Sequence, residues 1–148
     1  MSHTKKKDTK RKEHTGTILI VDDEPSVREV LESILREEGY RTDFAENGHD
    51  GYEKALELIP DLILMDITMP VIDGFEVCRR IRTKPPLAQV PIIIITAIDN
   101  DEYKSRSIES GANDFLSKPF DIYELIEKVR KNTYRVADRR NEESLTGD

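Results

Sequence analysis

Cysteine is scarce in this sequence, because its 148 residues include only Cys78. A single cysteine excludes an intrachain disulfide, and no Cys/His spacing typical of a metal site occurs. Apolar runs are short, and none approaches the roughly 20 residues that a membrane-spanning helix needs. The basic N-terminus lacks the apolar segment that completes a secretory signal peptide. These absences predict a cytoplasmic protein without a membrane partner. The length of the chain predicts one domain around a single hydrophobic core.

Charge is distributed unevenly. Residues 1–15 contain six Lys and Arg against two acidic residues, so this arm carries a net charge of +4. Because the whole chain carries −7, the remaining residues carry −11. The arm has no aromatic residue and no amphipathic period, which predicts a disordered, solvated tail, although a basic arm can also touch nucleic acid or an acidic partner. A body at −11 is repelled by phosphate backbones, so we expect no direct nucleic-acid binding.

Five short β-rich runs alternate with five helical patterns from residue 17 onward. The predicted strands are 17–22, 40–45, 61–66, 91–96 and 113–117. The predicted helices are 26–38, 49–59, 75–81, 101–110 and a last one from 121 to about 138. The fourth helix has few sizeable apolar residues and is expected to pack weakly.

This alternation predicts an α/β fold, a doubly wound five-stranded parallel sheet with helices on both faces. Strands buried on both sides should be continuously apolar, which accounts for the runs of Ile and Leu. Right-handed crossovers leave few topologies, and the common one is the flavodoxin-like order 2-1-3-4-5. Its ligand site lies at the carboxyl ends of the strands, between strands 1 and 3.

Polar side chains follow the apolar runs at that edge. Asp22 and Asp23 end strand 1, Asp66 ends strand 3, Thr96 ends strand 4, and Lys118 follows strand 5. Strands 1 and 3 should lie about 4.8 Å apart. Three carboxylates so close repel one another unless some are protonated or a cation is present, and Mg²⁺ prefers such oxygen ligands. The set predicts a phosphoryl-transfer site with Asp66 as nucleophile, which the loop 67–73 should present to solvent.

Each of these residues has an ordinary explanation when taken singly. An acidic residue after a strand often caps a helix, Thr96 could merely end a strand, and Lys118 before a proline could be an exposed loop residue. The conjunction of all five, in this order at four strand ends, is much more specific than any member. We therefore favour the functional interpretation.

Four segments of the sequence carry a resemblance to a known family: ILIVDDEP, LILMDITMPVIDGFE, PIIIITA and GANDFLSKPF. Over about residues 16–135 the chain resembles the receiver (CheY-like) domain of bacterial two-component response regulators, a family that itself exemplifies the strand order 2-1-3-4-5. The resemblance implies that Asp66 accepts a phosphoryl group from a sensor histidine kinase or a phosphotransfer protein. It also implies that Thr96 and Lys118 contact the phosphoryl oxygens after transfer.

The resemblance further implies a Mg²⁺ site. Asp23 and Asp66 would ligate the ion directly, Asp22 would help through water, and the backbone carbonyl of Thr68 would complete the protein ligands. Because the family has a cis peptide at the matching position, the bond between Lys118 and Pro119 is expected to be cis.

Further consequences of the resemblance concern signalling. Ala97 matches a position where bulk would block the phosphoryl group, and Phe115 matches a switch aromatic that turns inward after phosphorylation, although it could be simply a half-buried strand residue. The output surface would be the fourth helix, fifth strand and fifth helix. Thr68 and Ile98 match positions that tune phosphoryl lifetime. Neither can orient a water molecule as a carboxylate or carboxamide does, so we expect slow self-dephosphorylation.

Two rival functions fit the sequence less well. A haloacid-dehalogenase-type phosphatase would need a second aspartate two residues after its nucleophile, where this chain has Thr68. A flavodoxin-like binding module would need a hydroxyl- and glycine-rich phosphate loop after strand 1, where this chain is anionic. Neither G-x-G-x-x-G nor G-K-[ST] occurs, so nucleotide binding has no support. We therefore expect no enzyme activity beyond the chain's own phosphorylation and dephosphorylation.

The output is left open. The chain divides into a basic arm at 1–15, a receiver domain at 16–138 and a polar tail at 139–148. The initial methionine and polar ending favour a stand-alone regulator with a downstream protein target, and the alternative is the receiver of a longer regulator whose output domain is not in this sequence. The extended last helix leaves a monomer and a phosphorylation-dependent dimer open. The resemblance implies that the choice of kinase is encoded in the first helix, 26–38.

Overall fold

A computed structural model of the chain describes residues 16–67 and 73–133. The strands in this part are β1 (Thr17–Val21), β2 (Arg41–Ala45), β3 (Leu62–Asp66), β4 (Ile92–Thr96) and β5 (Asp114–Ser117). The α-helices are α1 (Pro25–Glu37), α2 (Gly48–Leu58), α3 (Gly74–Arg82), α4 (Asp101–Glu109) and α5 (122–133), and a short 3₁₀ helix, Pro85–Leu87, precedes β4. Among the described residues, no helix has both the length and the apolar character that crossing a membrane requires.

The sheet is parallel throughout, and its order β2-β1-β3-β4-β5 confirms the predicted topology. Every residue of β3 and of β4 is buried, because helices cover both faces of the sheet. Successive side chains point to opposite faces, so they divide into two core clusters. One cluster contains Leu19, Ile63 and Phe75 of α3, and the other contains Leu64 and Leu125 of α5.

The turn into α1 affects the site. Glu24 occupies the N-cap position of α1, and its side chain makes no capping hydrogen bond. Asp22 Oδ1 instead accepts the Glu24 backbone N–H at 2.9 Å. Strand β1 accordingly ends at Val21, one residue earlier than predicted, and the side chain of Asp22 is committed to the turn.

Helix α4 buries few of its side chains, in agreement with its small number of sizeable apolar residues. In this fully described helix the buried residue is Ser107, while Ile108 is 75% exposed and contributes little to packing. The Tyr103 ring lies edge-on to Phe75 of α3 with centroids 5.7 Å apart. The Arg106 guanidinium lies 4.4 Å above the Phe75 ring centroid. Aromatic and cation–π contacts therefore replace an aliphatic interface between α4 and α3.

Arg82 joins three segments at the amino ends of β4 and β5. Its Nη1 donates to the backbone carbonyls of Leu87, at 3.0 Å, and Val90, at 2.7 Å. Its Nε and Nη2 both donate to the Gly111 carbonyl, at 2.9 and 2.8 Å, and Nη2 also donates to Asn113 Oδ1 at 2.8 Å. Burial lowers the pKa of Arg82, but the guanidinium remains charged at neutral pH. The C-terminal end of α4 is thereby fixed to the end of α3.

Replacing Arg82 by Met should lower the free energy of unfolding by roughly 2–3 kcal/mol, because several partly buried carbonyl groups lose a charged donor together. Urea denaturation measures this loss. Arg79→Met is the matched control, since Arg79 lies on the same helix with a half-exposed side chain paired to Glu76. The control should cost less than about 1 kcal/mol. Equal losses in both variants would contradict the anchoring role of Arg82.

Candidate functional site

Four carboxylates meet at the carboxyl edge of the sheet. Val21 of β1 pairs with Met65 of β3, so the residues that follow these two lie side by side. Asp22 and Asp66 are each 2% exposed, whereas Asp23 and Glu24 are exposed. One carboxylate oxygen from each of the four lies within 4.8 Å of the others. The predicted acidic trio is therefore brought together, and Glu24 joins it because the turn into α1 returns over the strand end.

Asp66 is buried rather than presented to solvent, so our expectation for the loop 67–73 was wrong on this point. The start of α3 also lies close to the end of β3, where a Cβ on Gly74 would lie 2.7 Å from both the Asp66 carbonyl oxygen and Ile67 Cα. The Gly74 backbone N–H donates to the Ile67 carbonyl at 3.4 Å. Only a glycine permits this approach of α3 to the end of β3. Nothing in the sequence indicated that Gly74 packs against the backbone of Asp66.

Lys118 lies between the two buried aspartates. Its Nζ is 2.9 Å from Asp22 Oδ2 and 3.4 Å from Asp66 Oδ2, and 3.9 Å from Glu24 Oε1. The bond between Lys118 and Pro119 is cis, as the family resemblance implied. The Lys118 backbone N–H donates to the Thr96 carbonyl at 2.7 Å. Lys118 is thus held by β4 at one end and by the carboxylates of β1 and β3 at the other.

The protonation of this cluster follows from burial and pairing. Burial raises the pKa of Asp22 even though the hydrogen bond from Lys118 opposes the rise. Burial by itself lowers the pKa of Lys118, but the hydrogen bond to Asp22 and the charges of Asp66 and Asp22 outweigh it, so the net pKa is raised. Lys118 therefore stays an ammonium group at neutral pH and balances part of the negative charge beside it.

Thr96 and the residues after it line the neighbouring strand end. Asp66 pairs with Ile95 of β4, and Thr96 follows that pair with a fully buried side chain. The Thr96 hydroxyl oxygen accepts the Ile98 backbone N–H at 3.2 Å, so it is already engaged within its own loop. Ala97 is exposed and Ile98 is half-buried. Thr96 thus follows the residue that pairs with Asp66, and the roles assigned to Thr96, Ala97 and Ile98 stay predictions.

Phe115 of β5 lies farther from the carboxylates. It pairs with Ile94 and packs, partly buried, against the core cluster that contains Phe75. The Lys104 Nζ of α4 lies 6.0 Å from the Phe115 ring centroid. This placement agrees with a half-buried strand residue and leaves the switch role a prediction. Thr68 lies outside the described residues.

A buried cation, Arg28, lies beside the site, and nothing in the sequence indicated its position there. Arg28 of α1 is 7% exposed, and its Nη1 donates to the Asp22 backbone carbonyl at 2.7 Å. Spacing within a helix cannot reveal which strand end a polar side chain reaches. The contact is made because β1 and the first turn of α1 are joined by only three residues.

Comparison with known proteins identifies the family. The family model of the response regulator receiver domain matches residues 18–130. The chain belongs to this family. The receiver resemblance stated from the sequence is thereby confirmed, and with it the classification as a signalling domain of two-component systems.

Individual relatives agree with this assignment. The DNA-binding dual master transcriptional regulator RpaA of Synechocystis sp. is 39% identical over 113 residues, which are 76% of this chain and 47% of that protein. Chemotaxis protein CheY4 of Vibrio cholerae superimposes with a TM-score of 0.76 at 30% identity, covering 79% of this chain and 98% of CheY4. The chain therefore spans about half the length of its curated relative but nearly all of CheY4.

A third relative was solved with a metal ion. The receiver domain of sensor histidine kinase PA1611 from Pseudomonas aeruginosa, with a magnesium ion coordinated in the active-site cleft, has a TM-score of 0.75 at 34% identity. The match covers 80% of this chain and 98% of that one. Receivers like this one thus occur in response regulators and in histidine kinases.

Adding one methyl group at Gly74 should disturb Asp66 directly. We expect Gly74→Ala to shift the amide NMR signals of Asp66 and Ile67 and to lower the free energy of unfolding by about 1–3 kcal/mol, because backbone atoms must move. Gly51→Ala is the control, since its Cβ would meet the Val21 side chain, 2.8 Å from Cγ1, rather than backbone. It should leave the Asp66 signal in place. An unshifted Asp66 signal in Gly74→Ala would contradict the packing argument.

Proposed function

We propose that this receiver accepts a phosphoryl group on Asp66 from a sensor histidine kinase or a phosphotransfer protein and passes the signal to a downstream protein. The observation that carries the proposal is a buried pair of carboxylates, Asp22 and Asp66, that share the Lys118 ammonium at 2.9 and 3.4 Å. A cation between two buried carboxylates at a strand end is a costly arrangement for stability alone. It is useful where negative charge is added and removed.

The acidic residues fit a magnesium ion. Their oxygens come from four carboxylates within 4.8 Å of one another, and hard oxygen ligands next to a phosphate suit Mg²⁺. In this proposal Asp23 and Asp66 would hold the ion, Asp22 would act through a water molecule, and the carbonyl of Thr68 would supply the remaining protein ligand. When bound, the ion supplies a Lewis acid that neutralises charge on the transferring phosphoryl oxygens.

The remaining steps belong to the chain's own residues. An Asp66 carboxylate oxygen attacks the phosphorus of a phosphohistidine, the phosphorus–nitrogen bond breaks as the phosphorus–oxygen bond forms, and the imidazole leaves with the electron pair. The Lys118 ammonium, already 3.4 Å from Asp66, exchanges a carboxylate partner for a phosphoryl oxygen. The Thr96 hydroxyl donates to a second phosphoryl oxygen. Because Asp66 and Thr96 are both buried, water has limited access to the acyl phosphate.

The signal leaves through α4, β5 and α5. The new dianion draws Thr96 toward it, which frees space for Phe115 to turn inward. The weak attachment of α4, with Ser107 as its buried residue in the described chain, supports a low-cost movement of this face. The Arg82 bonds to Gly111 would hold the far end of α4 while its start moves.

The wider setting is also part of the proposal. A cytoplasmic location, catalysis limited to its own phosphorylation and dephosphorylation, and a monomer or phosphorylation-dependent dimer are expected of such a receiver. The boundaries 1–15, 16–138 and 139–148 and the absence of direct nucleic-acid binding stay predictions. The longer-regulator alternative has support of its own, because the chain corresponds to 47% of a DNA-binding relative.

The assignment of Asp66 is tested by phosphorylation in vitro. Wild-type protein incubated with acetyl phosphate and Mg²⁺ should gain one phosphoryl group, seen as a mass increase, and Asp66→Asn should gain none. Asp73→Asn is the matched control, because Asp73 is an exposed carboxylate that caps α3 by accepting the Glu76 N–H at 2.8 Å, a bond an amide oxygen preserves. Phosphorylation that persists in Asp66→Asn would refute the assignment.

The phosphorylated state should be long-lived. Ile98 is half-buried beside Thr96, and a carboxylate in its place would orient a water molecule toward the phosphoryl group. Ile98→Glu should therefore shorten the half-life several-fold, measured at neutral pH with Mg²⁺ by loss of the added mass. Ile108→Glu, at a 75% exposed position of α4, should leave it unchanged. A wild-type half-life of seconds would contradict slow self-dephosphorylation.

A further inference from the structure

Arg28 occupies a place where a cation is unfavourable. It lies in the first turn of α1, where the helix dipole repels positive charge, and its side chain is nearly buried. Desolvating a guanidinium adds to that cost. Specific contacts must therefore hold the side chain there.

Those contacts come from three directions. Nη1 donates to the Asp22 carbonyl at 2.7 Å, and the guanidinium carbon lies 4.6 Å from the ring centroid of Phe44 on β2. Nη2 lies 3.7 Å from Glu46 Oε1. A planar guanidinium can stack on a ring and donate in its own plane at once, and an ammonium cannot. Arg28 thus bridges the carboxyl ends of β1 and β2.

The peptide groups around Asp22 are fixed on every side. The Asp22 backbone N–H donates to the Ala45 carbonyl at 3.1 Å, and Asp22 Oδ1 accepts the Glu24 N–H at 2.9 Å. The Asp22 carbonyl that Arg28 binds belongs to the peptide bond leading to Asp23. Rotation of that peptide plane would change the direction in which the exposed Asp23 carboxylate points.

We propose that Arg28 is a positioning residue for the divalent-cation site: it holds the Asp22–Asp23 peptide so that the acidic side chains converge. This inference rests on the proposed function. The expected change in Mg²⁺ affinity on removal of Arg28 has a distinctive direction, because the positive charge of Arg28 by itself opposes the binding of a second cation. Removal of the charge alone would strengthen Mg²⁺ binding, whereas loss of positioning weakens it.

The test is an amide NMR titration of the full chain with MgCl₂. For Arg28→Met, which keeps an apolar stem and loses the donor, the dissociation constant for Mg²⁺ should rise about tenfold, as for other residues that orient metal ligands. Arg36→Met is the matched control, because Arg36 lies on the same helix with a 63% exposed side chain paired to Glu32. Its dissociation constant should stay at the wild-type value.

A phosphorylation assay and a second variant separate an effect on Mg²⁺ binding from an effect on the stability of the fold. In phosphorylation by acetyl phosphate, Arg28→Met should need more Mg²⁺ and reach nearly the wild-type rate at saturating Mg²⁺. Arg28→Lys, which keeps the charge but not the planar geometry, should give an intermediate dissociation constant and carries the test if Arg28→Met does not fold.

The outcomes are distinguishable. A lower melting temperature with an unchanged Mg²⁺ dissociation constant would assign Arg28 a purely structural role and overturn the inference, as would tighter binding. A wild-type chain that binds no Mg²⁺ would overturn the proposed function together with this inference. Wild-type binding that Arg28→Met leaves unaltered overturns the inference alone.

Discussion

The ammonium group of Lys118 between Asp22 and Asp66 is the interaction on which the site depends. Parallel pairing of β1 with β3 brings the two carboxylates together, and burial makes their repulsion costly. Lys118 offsets that repulsion at 2.9 and 3.4 Å, held in place by the strand end of β4 through its backbone. The buried negative charge at this edge of the sheet is therefore balanced by a cation that follows β5 and is held by β4.

The domain combines a rigid sheet with a helix that is weakly bound. The central strands are wholly buried and their positions are over-determined by two core clusters. Helix α4, by contrast, is attached through rings and guanidinium groups at its inner face and through Arg82 at its far end. Rigid strands keep the chemical groups aligned, and the weak attachment leaves a surface whose position a single new charge can alter.

Support for the site comes from residues that do not belong to the acidic cluster. Gly74 lets α3 approach the carbonyl of Asp66, and Arg28 binds the carbonyl of Asp22. Both act on backbone atoms of the strand ends rather than on the carboxylates. The direction of each acidic side chain is thus set by the backbone peptide group from which it extends.

The sequence by itself determined the strand order and the convergence of Asp22, Asp66, Thr96 and Lys118. Continuous apolar runs separated by helices permit few parallel topologies, and parallel strands end at a common edge. The tertiary structure alone decided that Asp66 is buried, that Glu24 joins the cluster, and that Arg28 reaches the Asp22 carbonyl. Spacing along the chain fixes which face a residue occupies, but these three facts depend on how closely neighbouring elements approach one another in space.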